Sequence, residues 1–259
     1  MSYAPAQTEF ADRTVVVLAH SRSGTSWLLN LLTTHPALCG IDTESNIFLA
    51  LNELWRNRHR PDGEGLLAYL SINDLTVAMR EFCDAMFAAS RDVIKPDATW
   101  YVEKTPDNSL FLPLIAVTHP DAWFVHLMRD GRDVARSLVA APMGPDDYGK
   151  AAGEWARNVR WVERNEWQLA RFRRVYYEEL VQDPVAHMTD LFQWMGLEVD
   201  PKLAAALGER AGHEVMRFGG TGRVGAGKWR ELSERALEQI LGAAGDVLAE
   251  YGYLDAAYG

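Results

Sequence analysis

Short apolar runs alternate with longer amphipathic segments along this chain. The runs are rich in β-branched and aromatic residues, which is typical of strands buried in a parallel sheet. They predict strands at residues 14–19, 100–103, 123–128 and 174–177. Because helical segments separate each run from the next, the pattern predicts an α/β fold with a central parallel sheet flanked by helices.

The longer segments place apolar residues three and four positions apart, as one face of a helix requires. Pairs typical of a helix start support this pattern, and they are Thr105-Pro106, Asp183-Pro184, Asp200-Pro201 and Ser233-Glu234. Helices are predicted at 25–34, 106–117, 130–139, about 146–171, 184–195 and 234–250, with two more between 61 and 91 and a further apolar segment at 47–54.

Composition favours one large domain over residues 1–259, with a flexible N-terminus at 1–13. The chain has 259 residues, of which 48% are hydrophobic, enough for a sizeable core. Its formal net charge of -10 disfavours partners such as nucleic acid or an anionic membrane, because both require an extended positive field. No apolar run in the sequence reaches membrane-spanning length, and the polar, acid-containing residues 1–13 are not expected to act as a signal peptide or a membrane anchor.

The cysteines add an expectation about the cellular compartment. Cys39 and Cys83 are too few for a disulfide framework and lack the spacing of a metal site. This usage favours a reducing compartment, so a cytoplasmic protein is predicted.

The first predicted strand runs into a small polar loop and then into an apolar helix. Gly24 allows close approach of the backbone to a ligand, Thr25 and Ser26 offer hydroxyls, and Arg22 adds a fixed charge. The N–H groups of the first helical turn suit an anion. The loop lacks the lysine of a Walker P-loop, which favours transfer of a group less charged than a γ-phosphate, such as sulfuryl. For the loop alone, a plain helix cap is the alternative.

A second strand, turn and helix unit places Arg129 at the carboxyl end of its strand, the edge where open α/β sheets bind ligands. Ser137 lies about two helical turns further on and reaches the same anion only if the helix folds back over the strand. An ion pair and a packing site are the alternatives for these two residues. Arg132 and Arg136 are interpreted as surface charges with helix acids nearby, including Asp133.

Lys104 follows another strand at the same edge, where it can stabilise charge on a leaving oxygen. An ordinary solvated lysine is the alternative. Glu103 is predicted to point to the opposite face of the sheet, in a structural role. A glycine-rich stretch with basic residues, 217–230, predicts a mobile loop.

Three residues are candidates for a general base. Asp42 and Glu44 follow the first helix, and His20 lies beside the anion loop. Capping of a helix by the acids and a structural hydrogen bond from the histidine are the alternatives.

Together these segments resemble the PAPS-dependent sulfotransferases, in the branch that includes bacterial, tyrosylprotein and glycan enzymes. Those enzymes move a sulfuryl group from 3′-phosphoadenosine 5′-phosphosulfate (PAPS) to an acceptor hydroxyl. His20-Ser-Arg-Ser-Gly-Thr-Ser-Trp-Leu28 is similar to the family's 5′-phosphosulfate loop, and Leu127-Met-Arg-Asp-Gly-Arg-Asp-Val-Ala-Arg-Ser137 is similar to its 3′-phosphate motif. Further similar segments, in the same order, are Glu103-Lys-Thr-Pro-Asp-Asn108, Val175-Tyr-Tyr-Glu-Glu-Leu-Val-Gln-Asp-Pro184 and Gly227-Lys-Trp-Arg230.

The resemblance implies a single P-loop-like domain whose cofactor is PAPS, with no metal, and a site divided among several segments. The implied cofactor-binding residues are Arg22, Ser23, Gly24, Thr25, Ser26 and Trp27 at the 5′-phosphosulfate, Arg129, Ser137 and Arg223 at the 3′-phosphate, Tyr177 near the adenine, and Lys228 and Trp229 in a covering loop at 217–230.

For catalysis, the resemblance favours Glu44 as the base over Asp42 and His20. Glu44-Ser-Asn-Ile-Phe48 is similar to the Glu-Thr-x-x-Phe pattern of the glycan and tyrosylprotein enzymes. Arg22 and Lys104 would neutralise charge on the sulfuryl group and on the oxygen that bridges to the 5′-phosphate.

Two other functions remain open from the sequence. A small-molecule kinase of related fold is one, and a non-catalytic nucleotide-binding protein is the other. The acceptor class is open too. Trp55, Trp155 and Trp161 are candidates for lining an apolar acceptor cleft, with plain core packing as the alternative.

Overall fold

A five-stranded parallel sheet carries the fold, as seen in a computed structural model that describes residues 9–142, 144–212 and 224–255. The strands are β1 (Thr14–Leu18), β2 (Leu38–Cys39), β3 (Trp100–Lys104), β4 (Trp123–Met128) and β5 (Phe172–Tyr176). Their order across the sheet is β2-β3-β1-β4-β5, and every neighbouring pair is parallel. The predicted α/β class with a central parallel sheet is confirmed.

Helices cover both faces of this sheet. They are α1 (Thr25–Leu32), α2 (Ile47–Arg56), α3 (Ile72–Ile94), α4 (Leu112–Thr118), α5 (Gly131–Val139), α6 (Tyr148–Asn165), α7 (Tyr177–Gln182), α8 (Pro184–Trp194), α9 (Pro201–Ala211) and α10 (Glu234–Glu250). Short 3₁₀ helices lie at Leu66–Ala68, Pro106–Phe111, Glu166–Gln168 and Lys228–Glu231.

Three of the predicted helix starts are capped as expected. The carboxylates of Asp183 and Asp200 accept the N–H groups of Ala186 and Leu203 at 2.9 and 2.7 Å. The Ser233 hydroxyl accepts the N–H group of Ala236 at 3.3 Å. Such bonds satisfy first-turn donors that have no partner within the helix.

The predicted helix at 106–117 is in fact two elements. Pro113 has no N–H to donate to a preceding turn, so α4 starts anew with this proline in its first turn. The preceding 3₁₀ helix is held to β1, because Asn108 Nδ2 donates to the Val17 carbonyl at 3.4 Å and Ser109 Oγ donates to the Ala19 carbonyl at 3.2 Å.

Other boundaries differ where an element is short. Strand β2 was not predicted, since two residues are too few to show a hydrophobic period. Of the two helices predicted between 61 and 91, the first is only the 3₁₀ turn Leu66–Ala68 and the second is the long α3. Tyr177, predicted to end the last strand, is the first residue of α7.

Side chains alternate across the sheet and bury two separate cores. Val15 and Val17 pack with α1, α8 and α9 on one face, whereas Val16 and Leu18 pack with α2, α3 and α4 on the other. A third cluster joins α5, α6 and α10. Trp155 belongs to that cluster.

The three tryptophans predicted as candidates for an acceptor cleft differ in placement. Trp155 is 1% exposed and packs under Gly131 and beside Tyr253, so it belongs to the core and the cleft assignment is wrong for it. Trp55 is partly buried against the core beneath the Arg58 guanidinium. Trp161 is exposed and lines an open groove between α6 and α10.

Both cysteines are buried thiols outside any disulfide, and burial raises the pKa of Cys39 to about 11. Within the described ranges, no helix combines the length and apolar character that crossing a bilayer requires.

Candidate functional site

The loop between β1 and α1 adopts two backbone conformations that side chains usually avoid. Gly24 has φ 100° and Arg22 has φ 72°, both in the left-handed region. The left-handed conformation costs a non-glycine residue such as Arg22 on the order of 1 kcal/mol, and such residues tend to occur at functional sites. Gly24 is the N-cap of α1 and has no side chain to cap the helix, so the first-turn N–H groups are left for a ligand.

Gly24 is also required by its neighbour. A Cβ at this position would lie 2.7 Å from the Tyr177 ring, which is too close for any side chain. Arg129 packs on the same ring, with its guanidinium 4.2 Å from the ring centre. The glycine therefore lets an arginine and an aromatic ring stack directly beside the loop.

Arg22, Arg129 and Ser137 meet at this point of the structure. Arg22 Nε donates to Ser137 Oγ at 3.0 Å, and Arg129 Nη1 donates to the Arg22 carbonyl at 3.2 Å. Helix α5 thus folds back over the loop, which is the condition that the sequence set for Ser137. Two guanidinium groups and a hydroxyl converge there at the carboxyl edge of the sheet.

The remaining loop residues differ in what they offer. Ser23 and Thr25 are buried, while Ser26 is half-buried on the first turn of α1. Trp27 is 2% exposed, packs edge-on against Tyr177 and donates its indole N–H to the Ala211 carbonyl at 3.2 Å. Its side chain is core, so Trp27 can serve an anion only through its backbone N–H.

Lys104 and Glu103 lie on opposite faces of β3, as predicted. Lys104 is opposite Val17 in the strand register, on the side that faces α1, and is 2% exposed. It is therefore a buried cation rather than an ordinary solvated lysine.

Glu103 has a structural role, as predicted, but the sequence did not identify its partners. Its carboxylate accepts hydrogen bonds from the hydroxyls of Ser45 and Thr105, each at 2.8 Å. Burial raises the pKa of Glu103, and these hydroxyl donors act in the opposite direction. The contact ties the segment that carries Glu44 to the end of β3. The only signal in the sequence was that a glutamate precedes the lysine in a predicted strand.

The three candidate bases have different surroundings. Glu44 is half-buried, two residues before the left-handed Asn46 that precedes α2, whereas Asp42 is exposed. His20 Nδ1 donates to the Ser21 carbonyl at 3.0 Å, and burial lowers the pKa of this histidine. The lowered pKa keeps His20 neutral near pH 7.

Residues 224–231, called the covering segment below, lie against α5. The segment carries Lys228 and Trp229 of the predicted covering loop, while Arg223 lies outside the described residues. Arg132 is 5% exposed and stacks at 3.5 Å over the Trp229 ring. Its interpretation as a surface charge is wrong, because it is buried between this ring and a close ion pair with Asp130 at 2.7 Å.

A buried glutamate, Glu178, lies beneath the turn that follows β4 and should make the stability of the protein depend on pH. Glu178 Oε1 accepts the Asp130 N–H at 2.9 Å, and burial raises the pKa of Glu178 to about 7 from its usual 4.5. The folded state therefore holds a proton that the unfolded chain releases. We expect Glu178 to lower the free energy of unfolding by on the order of 3 kcal/mol as pH rises from 4.5 to about 7.

Denaturant unfolding of the parent and of Glu178→Gln across this pH range checks the prediction. The glutamine keeps an acceptor for the Asp130 N–H but cannot ionise, so its stability relative to the parent should rise with pH. A difference between the two proteins that is independent of pH would contradict the prediction.

Comparisons with known proteins identify the class that this fold and site define. The model of the Sulfotransferase family matches residues 14–201. The chain therefore belongs to the sulfotransferase family.

Curated relatives and solved structures agree with this membership. A putative protein-tyrosine sulfotransferase of Caenorhabditis briggsae is 24% identical over 70% of this chain and 65% of its own length. Protein-tyrosine sulfotransferase 1 of Danio rerio is 25% identical over 68% of this chain and 51% of its own length. The chain thus matches less than two thirds of the length of either relative.

Two solved structures share the fold. The sulfotransferase domain of the Synechococcus olefin synthase superposes with a TM-score of 0.63 at 18% identity, covering 95% of this chain and 98% of that one. A mouse sulfotransferase in complex with 3′-phosphoadenosine 5′-phosphate (PAP) superposes with a TM-score of 0.57 at 13% identity, covering 97% of this chain and 89% of the mouse chain.

Proposed function

We propose that this protein transfers a sulfuryl group from PAPS to the hydroxyl of an acceptor. The observation that carries the proposal is the convergence of Arg22, Arg129 and Ser137 on the loop after β1. Bound PAPS would supply the sulfuryl group on the oxygen of its 5′-phosphate and leave as PAP.

We assign the residues to the two anionic groups of one nucleotide, which would bind on either side of the Arg22–Ser137 hydrogen bond. The first-turn N–H groups of α1 and the Arg22 guanidinium would hold the phosphosulfate end. Arg129 and Ser137 would hold the 3′-phosphate. Arg129 Nε is buried and has no hydrogen-bond acceptor among the described residues, so it is available to donate to the 3′-phosphate.

The aromatic residues lie beside the proposed nucleotide site. The Tyr177 ring is 1% exposed and packs against Gly24, Trp27 and Arg129, so it would lie behind the adenine and hold Arg129 in place. Lys228 and Trp229 would cover the nucleotide from the covering segment, which lies against the same helix as Ser137.

In the transfer step, Glu44 would take the proton of the acceptor hydroxyl as that oxygen attacks sulfur. Arg22 and Lys104 would oppose the negative charge that builds on the sulfuryl group and on the departing oxygen. Both cations are held in place by the fold, Lys104 by burial at the end of β3 and Arg22 by its bond to Ser137. Little reorganisation is then needed when charge develops.

The proposal is tested by incubating the protein with labelled PAPS and a panel of hydroxyl acceptors. Tyrosine-containing peptides belong in this panel because the named relatives are protein-tyrosine sulfotransferases. Transfer of label without added magnesium supports the proposal. Magnesium-dependent turnover of ATP would instead indicate a kinase, and PAP binding without transfer to any acceptor would indicate a nucleotide-binding protein without catalysis.

Replacement of Arg129 tests the nucleotide site directly. We expect Arg129→Ala to weaken PAP binding by about 10- to 100-fold, because a buried, charge-assisted contact to the 3′-phosphate is lost. Isothermal titration calorimetry of PAP checks this. Arg173→Ala is the matched control, since Arg173 forms a partly exposed pair with Asp190 at 2.7 Å and should keep full affinity. Equal affinity in Arg129→Ala and the parent would contradict the 3′-phosphate assignment.

A further inference from the structure

Several residues of α5 contact the covering segment. Arg132 stacks on the Trp229 ring at 3.5 Å, and one turn later Arg136 pairs with Glu231 at 2.5 Å. Between these two arginines along the chain lies Asp133. The segment is therefore held by contacts from three residues of one helix, the same helix that brings Ser137 to the loop after β1.

Asp133 makes the most specific of these contacts. Its carboxylate accepts the Gly227 N–H at 2.9 Å through Oδ2 and the Trp229 N–H at 2.8 Å through Oδ1. Its side chain is 0% exposed. Two backbone amides bonded to one buried carboxylate fix the conformation of the segment around Lys228, because charge-assisted bonds are short and directional.

The same carboxylate faces Arg129. Arg129 Nη2 lies 3.5 Å from Asp133 Oδ2, and the same nitrogen donates to the Gly225 carbonyl at 3.4 Å. Arg129 thus contacts both the covering segment and the residue that holds it. Arg129 Nε has no acceptor among the described residues, so an anion can bind there while Nη2 keeps both contacts. The docked segment and Asp133 then hold this guanidinium in place for the anion, which links the two events thermodynamically.

We infer that Asp133 is a positioning residue that couples nucleotide binding at Arg129 to the docking of the covering segment. The inference rests on the proposed function, because the nucleotide is PAPS or PAP. Linkage is reciprocal: PAP stabilises the docked segment, and the docked segment tightens PAP binding. Loss of the Asp133 charge releases the Gly227 and Trp229 amides and the Arg129 guanidinium. We expect this loss of positioning to weaken PAP binding, even though it also removes a negative charge beside Arg129.

The test compares the parent with Asp133→Asn, which keeps the side-chain shape but removes the charge and one acceptor. Calorimetry gives PAP affinity, and amide hydrogen exchange gives the protection of Gly227 and Trp229 with and without PAP. We expect about tenfold weaker PAP binding and loss of the PAP-induced protection at both amides. A merely structural role would change the stability of the free protein without changing the protection that PAP adds.

A matched control and a second variant complete the test of Asp133→Asn. Asp183→Asn makes the same chemical change at a carboxylate that accepts the Ala186 N–H at 2.9 Å, away from the covering segment, and should retain PAP affinity. Gly227→Ala acts from the segment side. Its φ of 78° disfavours a side chain, and the added Cβ meets only the flexible end of Arg230, so we expect severalfold weaker PAP binding in a folded protein.

The outcomes separate the inference from the proposed function. If the parent binds PAP and both Asp133→Asn and Gly227→Ala bind it equally well, the coupling is wrong while the nucleotide site stands. If amide protection falls in Asp133→Asn but PAP affinity is unchanged, Asp133 only holds the segment and the coupling is again wrong. If the parent itself binds no PAP, the proposed function fails and the inference falls with it.

Discussion

Glu44→Gln is expected to lower kcat by about 10²- to 10⁴-fold while leaving PAP affinity unchanged. The amide cannot take the proton of the acceptor hydroxyl. Nucleotide binding should persist, because the proposed PAP contacts come from the loop after β1, α5 and the covering segment, whereas Ser45 and Asn46 anchor the Glu44 segment to Glu103 and Thr105. Steady-state rates with labelled PAPS and a calorimetric PAP titration measure the two quantities separately.

Asp42→Asn is the matched control for this prediction. It makes the same change two residues earlier, at an exposed carboxylate, and should retain the parent rate. Full activity in Glu44→Gln would move the base to Asp42 or His20. A loss of PAP affinity equal to the loss of rate would show that Glu44 supports the nucleotide site instead of the proton transfer.

Lys104→Met should reduce kcat by about 10²- to 10³-fold, the cost typical of removing one group that stabilises transition-state charge. Methionine retains much of the apolar length of lysine, so the buried space at the end of β3 stays filled. Because the charge on the departing oxygen develops only during transfer, the acceptor KM should change much less than kcat. Initial rates over a range of acceptor concentrations separate the two parameters.

Lys95→Met is the control for this prediction, because it makes the same change at a lysine whose role is structural. Lys95 Nζ donates to the carbonyls of Thr33, His35 and Leu38 at 3.0, 2.8 and 2.9 Å. Its loss should lower the Tm while leaving kcat near the parent value at temperatures where the variant is folded. A Lys104→Met enzyme that shows the same pattern as Lys95→Met would contradict a role for Lys104 in the chemistry.

The strands and most of the helices could be predicted because their patterns are local. The apolar run at β1 and the Ser233-Glu234 start of α10 each specify an element within a few residues. The single helix predicted at 106–117 was wrong because the structure of this segment is not set by local pattern alone. Besides Pro113, its division depends on hydrogen bonds from Asn108 and Ser109 to the Val17 and Ala19 carbonyls at the carboxyl end of β1, about 90 residues away in the chain, which local periodicity cannot reveal.

The candidate site divides in the same way. Residue types and order predicted the loop after β1, Arg129 and Lys104 as candidates for one site, because the carboxyl ends of parallel strands must share one edge. The surroundings of Arg132 were misjudged, since its burial depends on the Trp229 ring far along the chain. The tether from Glu103 to Ser45 was missed because it joins two segments that no sequence period connects.

The sequence by itself determined the α/β class, the family resemblance and the chemical types at the sheet edge. Those features follow from short-range patterns and from the geometry that any parallel sheet imposes. Only the tertiary structure decided that Gly24 makes room for Tyr177, and that Asp133 joins Arg129 to the covering segment. Both depend on contacts between elements that are distant in the chain, and packing rather than local preference selects which side chains meet.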